Sequence, residues 1–300
     1  MLLVGVGLYL TNNFNWDQFR LEQERARQQQ SLALQQQDLA LKGQRAERFT
    51  KAIDQLGREG NSQLGIRLGG IYALETLMRD VPNDENTIIE VLCAFVRTHA
   101  PLPKIIPKDV PRSPIDVRAA LAVLSRRPDP GGHTYLDFSN TLLGLDGMDL
   151  RDANLTGANF NDADLTGANL SNAYLRDTQL SGADLTGADL SGADLLGAYL
   201  AFGNLRGANL VGADLFHANL TDASLRATNL GRANLYGADL RGADLTGADL
   251  YAADLTTVDL GSANLANVDL RCTEMDSLAK LPPGVAHPLP AALESPMCQE

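Results

Sequence analysis

The sequence predicts an α+β chain of 300 residues, helical in its first part and a β-solenoid in its second. Between residues 145 and 270 an apolar residue recurs at every fifth position, Leu each time except for Phe160. Before residue 130 the apolar residues instead follow helical spacing, in a background rich in Gln, Glu, Arg, Leu and Ala. The breaker cluster Asp129-Pro130-Gly131-Gly132 separates the two regimes.

A period of five excludes both regular elements. On an α-helix a step of five residues rotates a side chain by about 140°, which would spread the Leu residues around the whole circumference. On a flat strand an odd period sends successive residues to opposite faces. A chain that turns a corner once per unit brings every Leu inward, and repetition of this kind marks a solenoid. The unit itself is regular: Ala dominates two residues before the Leu, Asp or Asn stands just before it, and Gly often follows two residues after. Ala188-Asp189-Leu190-Ser191-Gly192 is representative.

This A-(D/N)-L-x-G unit resembles the pentapeptide-repeat family, and the resemblance covers roughly half of the chain. It implies a right-handed quadrilateral parallel β-helix with four pentapeptides per coil. With coils spaced like hydrogen-bonded strands, about 4.8 Å apart, the rod is expected to be roughly 30 Å long. Columns of Leu and Ala fill its interior, each buried Leu contributing on the order of 1.5–3 kcal/mol before entropy is subtracted. That leaves no internal cavity for a substrate.

The net charge of −12 is carried by the solenoid, which holds nineteen Asp and one Glu against seven Arg between Asp137 and Asp276. Direct nucleic-acid binding is not expected of it, because a phosphate backbone is bound by clustered Lys and Arg. Cys93, Cys272 and Cys298 are far apart and form no Cys-x-x-Cys pair, so reduced thiols in a reducing compartment are expected.

The chain divides into an apolar N-terminal segment (1–16), a long helix or stalk (17–49), a helical region (50–130), the repeat solenoid (134–276) and a flexible Pro-rich tail (277–300). Residues 1–10 are apolar, but ten helical residues reach about 15 Å, half of a hydrocarbon core. Together with Phe14, Trp16 and Phe19 they are read as a membrane-proximal terminus, the tail of a spanning helix that begins outside this sequence, or a short apolar end packed on something. The corresponding location is the cytoplasmic side of a membrane. Residues 17–49 contain no Pro and only Gly43 as a breaker, so one helix is expected. Leu32, Leu39 and Ala46 repeat at seven, as do Leu34 and Leu41, which gives about two heptads for self-association through a coiled coil.

Leu64, Leu68, Ile71, Leu74 and Met78 predict a helix ending before Pro82. A second opens at Asp84-Glu85, carries Ile88, Leu92, Phe95 and Val96, and closes at Pro101. After a Pro-rich linker, Ser113-Pro114 is read as the cap and first turn of a third, with Val117, Leu121 and Leu124. The segments from Arg48 to Gly57 and from Arg67 to Glu75 are similar to the region preceding the repeats in bacterial membrane-anchored members of the family. Gly69-Gly70 lacks the Gly-Lys-Ser/Thr context of a phosphate loop and is assigned to helix packing. Arg67 and Glu75 are expected to form a solvated or structural ion pair rather than a functional one. The solenoid begins with an out-of-register turn, because Phe138 and Leu143 are five apart but Leu145 follows two later. At its other end, Leu278 and Leu281 are expected to cover the last layer.

No catalytic, cofactor-binding or metal-binding residues are assigned, and an enzyme is not expected. Asp184, Asp189 and Asp194 follow the repeat itself, which the turn requirement explains. The four His residues are scattered, and no nucleophile has a recognisable context. A period of twenty is more informative, since residues twenty apart should stack on successive coils. Leu196, Phe216 and Tyr236 satisfy it and replace the usual small polar residue, forming an outward apolar stripe rimmed by Asp194, Asp214 and Asn234. Such a stripe is read as a binding site for a protein partner of unknown identity. Phe202-Gly203 is read as a loop or bulge. The leading functional expectation is a non-enzymatic scaffold, an acidic rod already ordered before docking. The alternative comes from the resemblance: some members of the family bind DNA gyrase by presenting a DNA-like negative rod.

Overall fold

The structure, a computed structural model, describes residues 2–80, 84–101, 103, 111–127, 136–138, 141–276 and 280–281. The breaker 129–132, Tyr135, Leu278 and the Pro-rich tail from residue 282 lie outside the described residues, as do the side chains of Phe14 and Trp16. Two compact units are present, residues 1–54 and 55–300.

The first unit is built on helix α1 (Leu2–Leu56), which runs unbroken through Gly43. Between residues 18 and 45 its side chains are exposed, Leu32, Leu34, Leu39 and Leu41 among them, so both heptad seams lie open and give the coiled-coil expectation no support. The membrane-side location is corrected as well: among the described residues no helix is long and apolar enough to cross a membrane. The apolar run is short, and the same helix continues at once into Gln-, Glu- and Arg-rich sequence.

The second unit opens with α2 (Leu64–Asp80), α3 (Glu85–His99) and α4 (Ile115–Ser125), with α4 packed on both of the others. Ile71, Leu74, Ile88, Leu92, Val96, Val117 and Leu124 form their shared core. Arg67 does not pair with Glu75. Its Nε donates to Asp116 Oδ2 at 2.6 Å and its Nη1 to the carbonyls of Arg58 and Gly60, whereas Glu75 accepts from Arg126 at 3.0 Å. Ser113 is not the helix cap either. Its Oγ accepts the Gly144 N–H and its own N–H donates to the Gly144 carbonyl, tying the segment before α4 to the first coil.

These helices close the N-terminal end of the solenoid. Pro101 bridges Thr141 antiparallel, the Leu142 N–H donates to Ala100, and the Asn154 N–H donates to Ser125 at the end of α4. Beyond them each coil takes twenty residues, shown by the parallel bridges Asp164↔Asp184, Asp184↔Asn204 and their successors. The rungs are isolated bridges rather than extended strands among the described residues. Many units close their corner with a left-handed residue two after the Leu, Gly at many of them and Asp, Asn, Arg or Ala at others. The Asp or Asn before the Leu turns its Oδ1 back to the N–H two residues on, as Asp164 does to Thr166 at 3.0 Å. The Leu columns are buried from Leu145 to Leu260, while Leu265 and Leu270 are half-buried in the last coil.

The first coil slips as expected: the Asn159 N–H reaches back to Leu136, two residues further than Asp164 reaches to Leu143. Phe202-Gly203 is not a bulge. Phe202 occupies an ordinary left-handed corner with φ 60° and Gly203 stands in the inward Ala column, so the register continues unbroken. The expectation of three reduced thiols is also corrected, since Cys272 is disulfide-bonded and Cys93 is free and buried.

Candidate functional site

The period of twenty brings the candidate residues together. Asp194, Asp214 and Asn234 are consecutive rungs of one parallel ladder, so Leu196, Phe216 and Tyr236 stand above one another on one wall of the solenoid. Two carboxylates and an amide hold the turn: the N–H groups of Leu196, Phe216 and Tyr236 donate to Oδ1 of Asp194, Asp214 and Asn234 respectively, at 3.1–3.4 Å. Asn234 also donates its amide to Asp214 Oδ1 at 2.9 Å, so a neutral amide follows a carboxylate and lowers the like-charge repulsion.

The three apolar side chains are half-buried rather than fully outward. The Phe216 and Tyr236 rings stack with centroids 5.3 Å apart and planes 8° from parallel, and the His217 ring meets each of them edge-on, at 4.3 and 6.0 Å. Gly237 makes room for it: a Cβ there would lie 2.5 Å from the His217 ring, and its φ of +65° also favours glycine. Stacking at the coil spacing hides much of each ring against the next, which is why the stripe shows its edges.

Above Leu196 the same wall opens into a cleft of about 460 Å³ that the sequence did not reveal. Arg127, from just after α4, forms its roof; Asp152, Asn154, Thr156, Tyr174, Arg176 and Asp194 form its wall. Arg127 is buried and donates Nη1 to the carbonyls of Leu124 and Asn154, at 3.1 and 2.7 Å. Arg176 is closed onto Asp194, whose hydrogen bond and charge push the guanidinium further above its usual pKa. Tyr174 is 54% exposed. Tyr174 and Arg176 were missed in the sequence, although the period of twenty could have found them, twenty residues before Asp194 and Leu196; Arg127 lies outside the repeat and gave no periodic signal.

Among the described residues no group of three or more His, Cys, Asp or Glu could hold a metal ion. The cleft lining contains no Cys, Ser or His. Cys93 lies elsewhere, with burial pushing its thiol up to about 11, the wrong direction for a nucleophile.

The model of a known family, Pentapeptide repeats, matches the solenoid in eight copies, among them residues 145–172, 163–195, 178–216, 193–232, 218–256 and 233–271. The chain belongs to the pentapeptide-repeat family. Its repeats imply that the coils wind as a right-handed β-helix. The structure of the pentapeptide-repeat protein Rfr23 from the cyanobacterium Cyanothece 51142 is 36% identical over 33% of this chain, with a TM-score of 0.23, and this chain spans 63% of that structure's length. HetL of Nostoc sp. strain PCC 7120, a pentapeptide-repeat protein involved in heterocyst differentiation regulation, is 32% identical over 48% of this chain and 86% of its own, with a TM-score of 0.17. A trypsin-treated point variant of QnrB1, a plasmid-mediated fluoroquinolone resistance protein, is 24% identical over 44% of this chain and 79% of its own, with a TM-score of 0.30. No curated protein matches the chain.

Proposed function

We propose that this pentapeptide-repeat chain is a non-enzymatic interaction module that docks a protein partner on the wall carrying Leu196, Phe216 and Tyr236, between Asp194 and Asp214. The observation that supports it is the Phe216–Tyr236 stack with its His217 edge, at a repeat position where Thr, Ser or Arg is the commonest occupant. Aromatic rings held rigid before contact lose little entropy on docking. The test compares the full chain with Phe216→Ser/Tyr236→Ser. The double variant is expected to melt as one cooperative unit, losing no more than about 1–2 kcal/mol, while protein partners captured by wild type are lost. A variant that unfolds outright makes the stack structural, and unchanged capture places the contact elsewhere.

The acidity of the solenoid motivates a second reading, a DNA mimic that binds DNA gyrase. Its test is gyrase supercoiling with the full chain titrated in at low and moderate salt. Salt-sensitive inhibition is expected if it holds. Against it stand the Arg partners that tie up Asp149, Asp194, Asp239 and Asp269, on three different ladders, and offset part of the negative charge. Inhibition that is absent at both salt concentrations ends this reading.

A further inference from the structure

We propose that the cleft beneath Arg127 receives a cationic side chain, Arg or Lys, from an extended segment of the partner protein, whose neighbouring apolar residue lies on Phe216 and Tyr236. This rests on the reading of that wall as the docking surface and names the chemistry it selects.

Four charged side chains line the cleft, and their engagements differ. Arg127 is turned inward onto two backbone carbonyls, and Arg176 is already closed onto Asp194. Asp152 stands at a left-handed corner, exposed, and no hydrogen bond among the described residues holds its carboxylate. An entering anion would meet Asp152 and have to displace Asp194 from Arg176. A cation meets a carboxylate that no hydrogen bond among the described residues holds and that feels the charge of Arg151, itself paired with Asp149.

The remaining lining suits a cation as well. Tyr174 presents an exposed ring to the cleft, the group over which a guanidinium or ammonium is held. Thr156 and Asn154 add polar groups beside it. Further along the wall come Asp214, Asp254 and Glu274 on the same ladder, so the approach is acidic beyond the cleft itself. Asp194 lines the cleft and also flanks Leu196, which makes cleft and stripe one continuous surface. A volume of about 460 Å³ accommodates a long side chain with part of its backbone.

The test pans a phage-displayed library of random peptides on the full chain and measures an enriched, dye-labelled peptide by fluorescence anisotropy. Enriched peptides should share Arg or Lys close to an aromatic or aliphatic residue. Asp152→Asn and Tyr174→Ala should each weaken binding about tenfold, with Asp152→Glu largely restoring it, and added salt should weaken the wild type more than Asp152→Asn. Enrichment of acidic peptides overturns the proposal. So does binding that survives both cleft substitutions but is lost in Phe216→Ser/Tyr236→Ser, and in that case the docking wall itself stands. Failure to enrich any peptide, or binding indifferent to both sets of variants, counts against cleft and wall together.

Discussion

At the residue scale, the helical cap depends on one buried ion pair. Asp116 is 1% exposed and Arg67 7%, and the guanidinium is further held by two carbonyls. Removing one partner leaves the other charged in a dry site, which costs more than the pair contributes. Asp116→Ala is therefore expected to destabilise the chain by about 3–5 kcal/mol in urea unfolding, and Arg67→Met/Asp116→Leu to recover most of that loss. A double variant as unstable as the single would show that the charges hold a specific geometry that packing cannot replace. The sequence placed Arg67 in an ion pair but named the wrong acid. Glu75 is eight residues away along the helix, whereas Asp116 arrives from another helix, and only packing decides which carboxylate comes within reach.

At the element scale, two features set stability. One is the junction of cap and first coil, where a Cβ on Gly144 would lie 2.2 Å from the Pro111 carbonyl oxygen. Backbone cannot yield there as a flexible side chain would, so Gly144→Ala should cost about 1–3 kcal/mol, read as a lower urea midpoint. The other is the ladder of paired carboxylates. Hydrogen bonds from Arg241, Thr246, Lys280 and Arg271 hold Asp239, Asp244, Asp259 and Asp269 below the usual carboxylate range. A depressed folded-state pKa contributes stability that is present above the unfolded value, near 4, and is lost as pH falls through the folded value. The melting temperature is expected to stay level from about pH 7 to 5 and to drop below about pH 4, less steeply at high salt because the pairs are largely exposed. A melting temperature that rises on acidification would show that repulsion among the Asp columns outweighs these pairs.

At the scale of the whole molecule, register decides function separately from folding. Each coil is twenty residues, so removing residues 239–258 should leave a cooperatively folding chain with the wall from Asp152 to Tyr236 intact. Removing only residues 206–210 keeps Leu in every inward position but turns all later units by a quarter coil, carrying Phe216 and Tyr236 to another wall. Circular dichroism should show both deletions folded, and peptide or partner binding should survive only the first. Binding retained after the five-residue deletion would mean that the cleft and the rings do not act as one surface.

The five-residue period is enough to establish the solenoid and the Asx turns that use the Asp columns; the coil of twenty, and with it the alignment of Leu196, Phe216 and Tyr236, came from the family resemblance and is seen in the bridges between residues twenty apart. In a repeat each unit's contacts are local and identical, so periodicity along the chain becomes position in space. The two heptads on α1 showed the limit of that inference, because a seam read from spacing says nothing of whether anything covers it. Packing in three dimensions settled what joins unlike parts: Arg67 with Asp116, Ser113 with Gly144, and Arg127 roofing the cleft on the first coils. Those contacts join residues that share no period, and nothing along the chain encodes their distance.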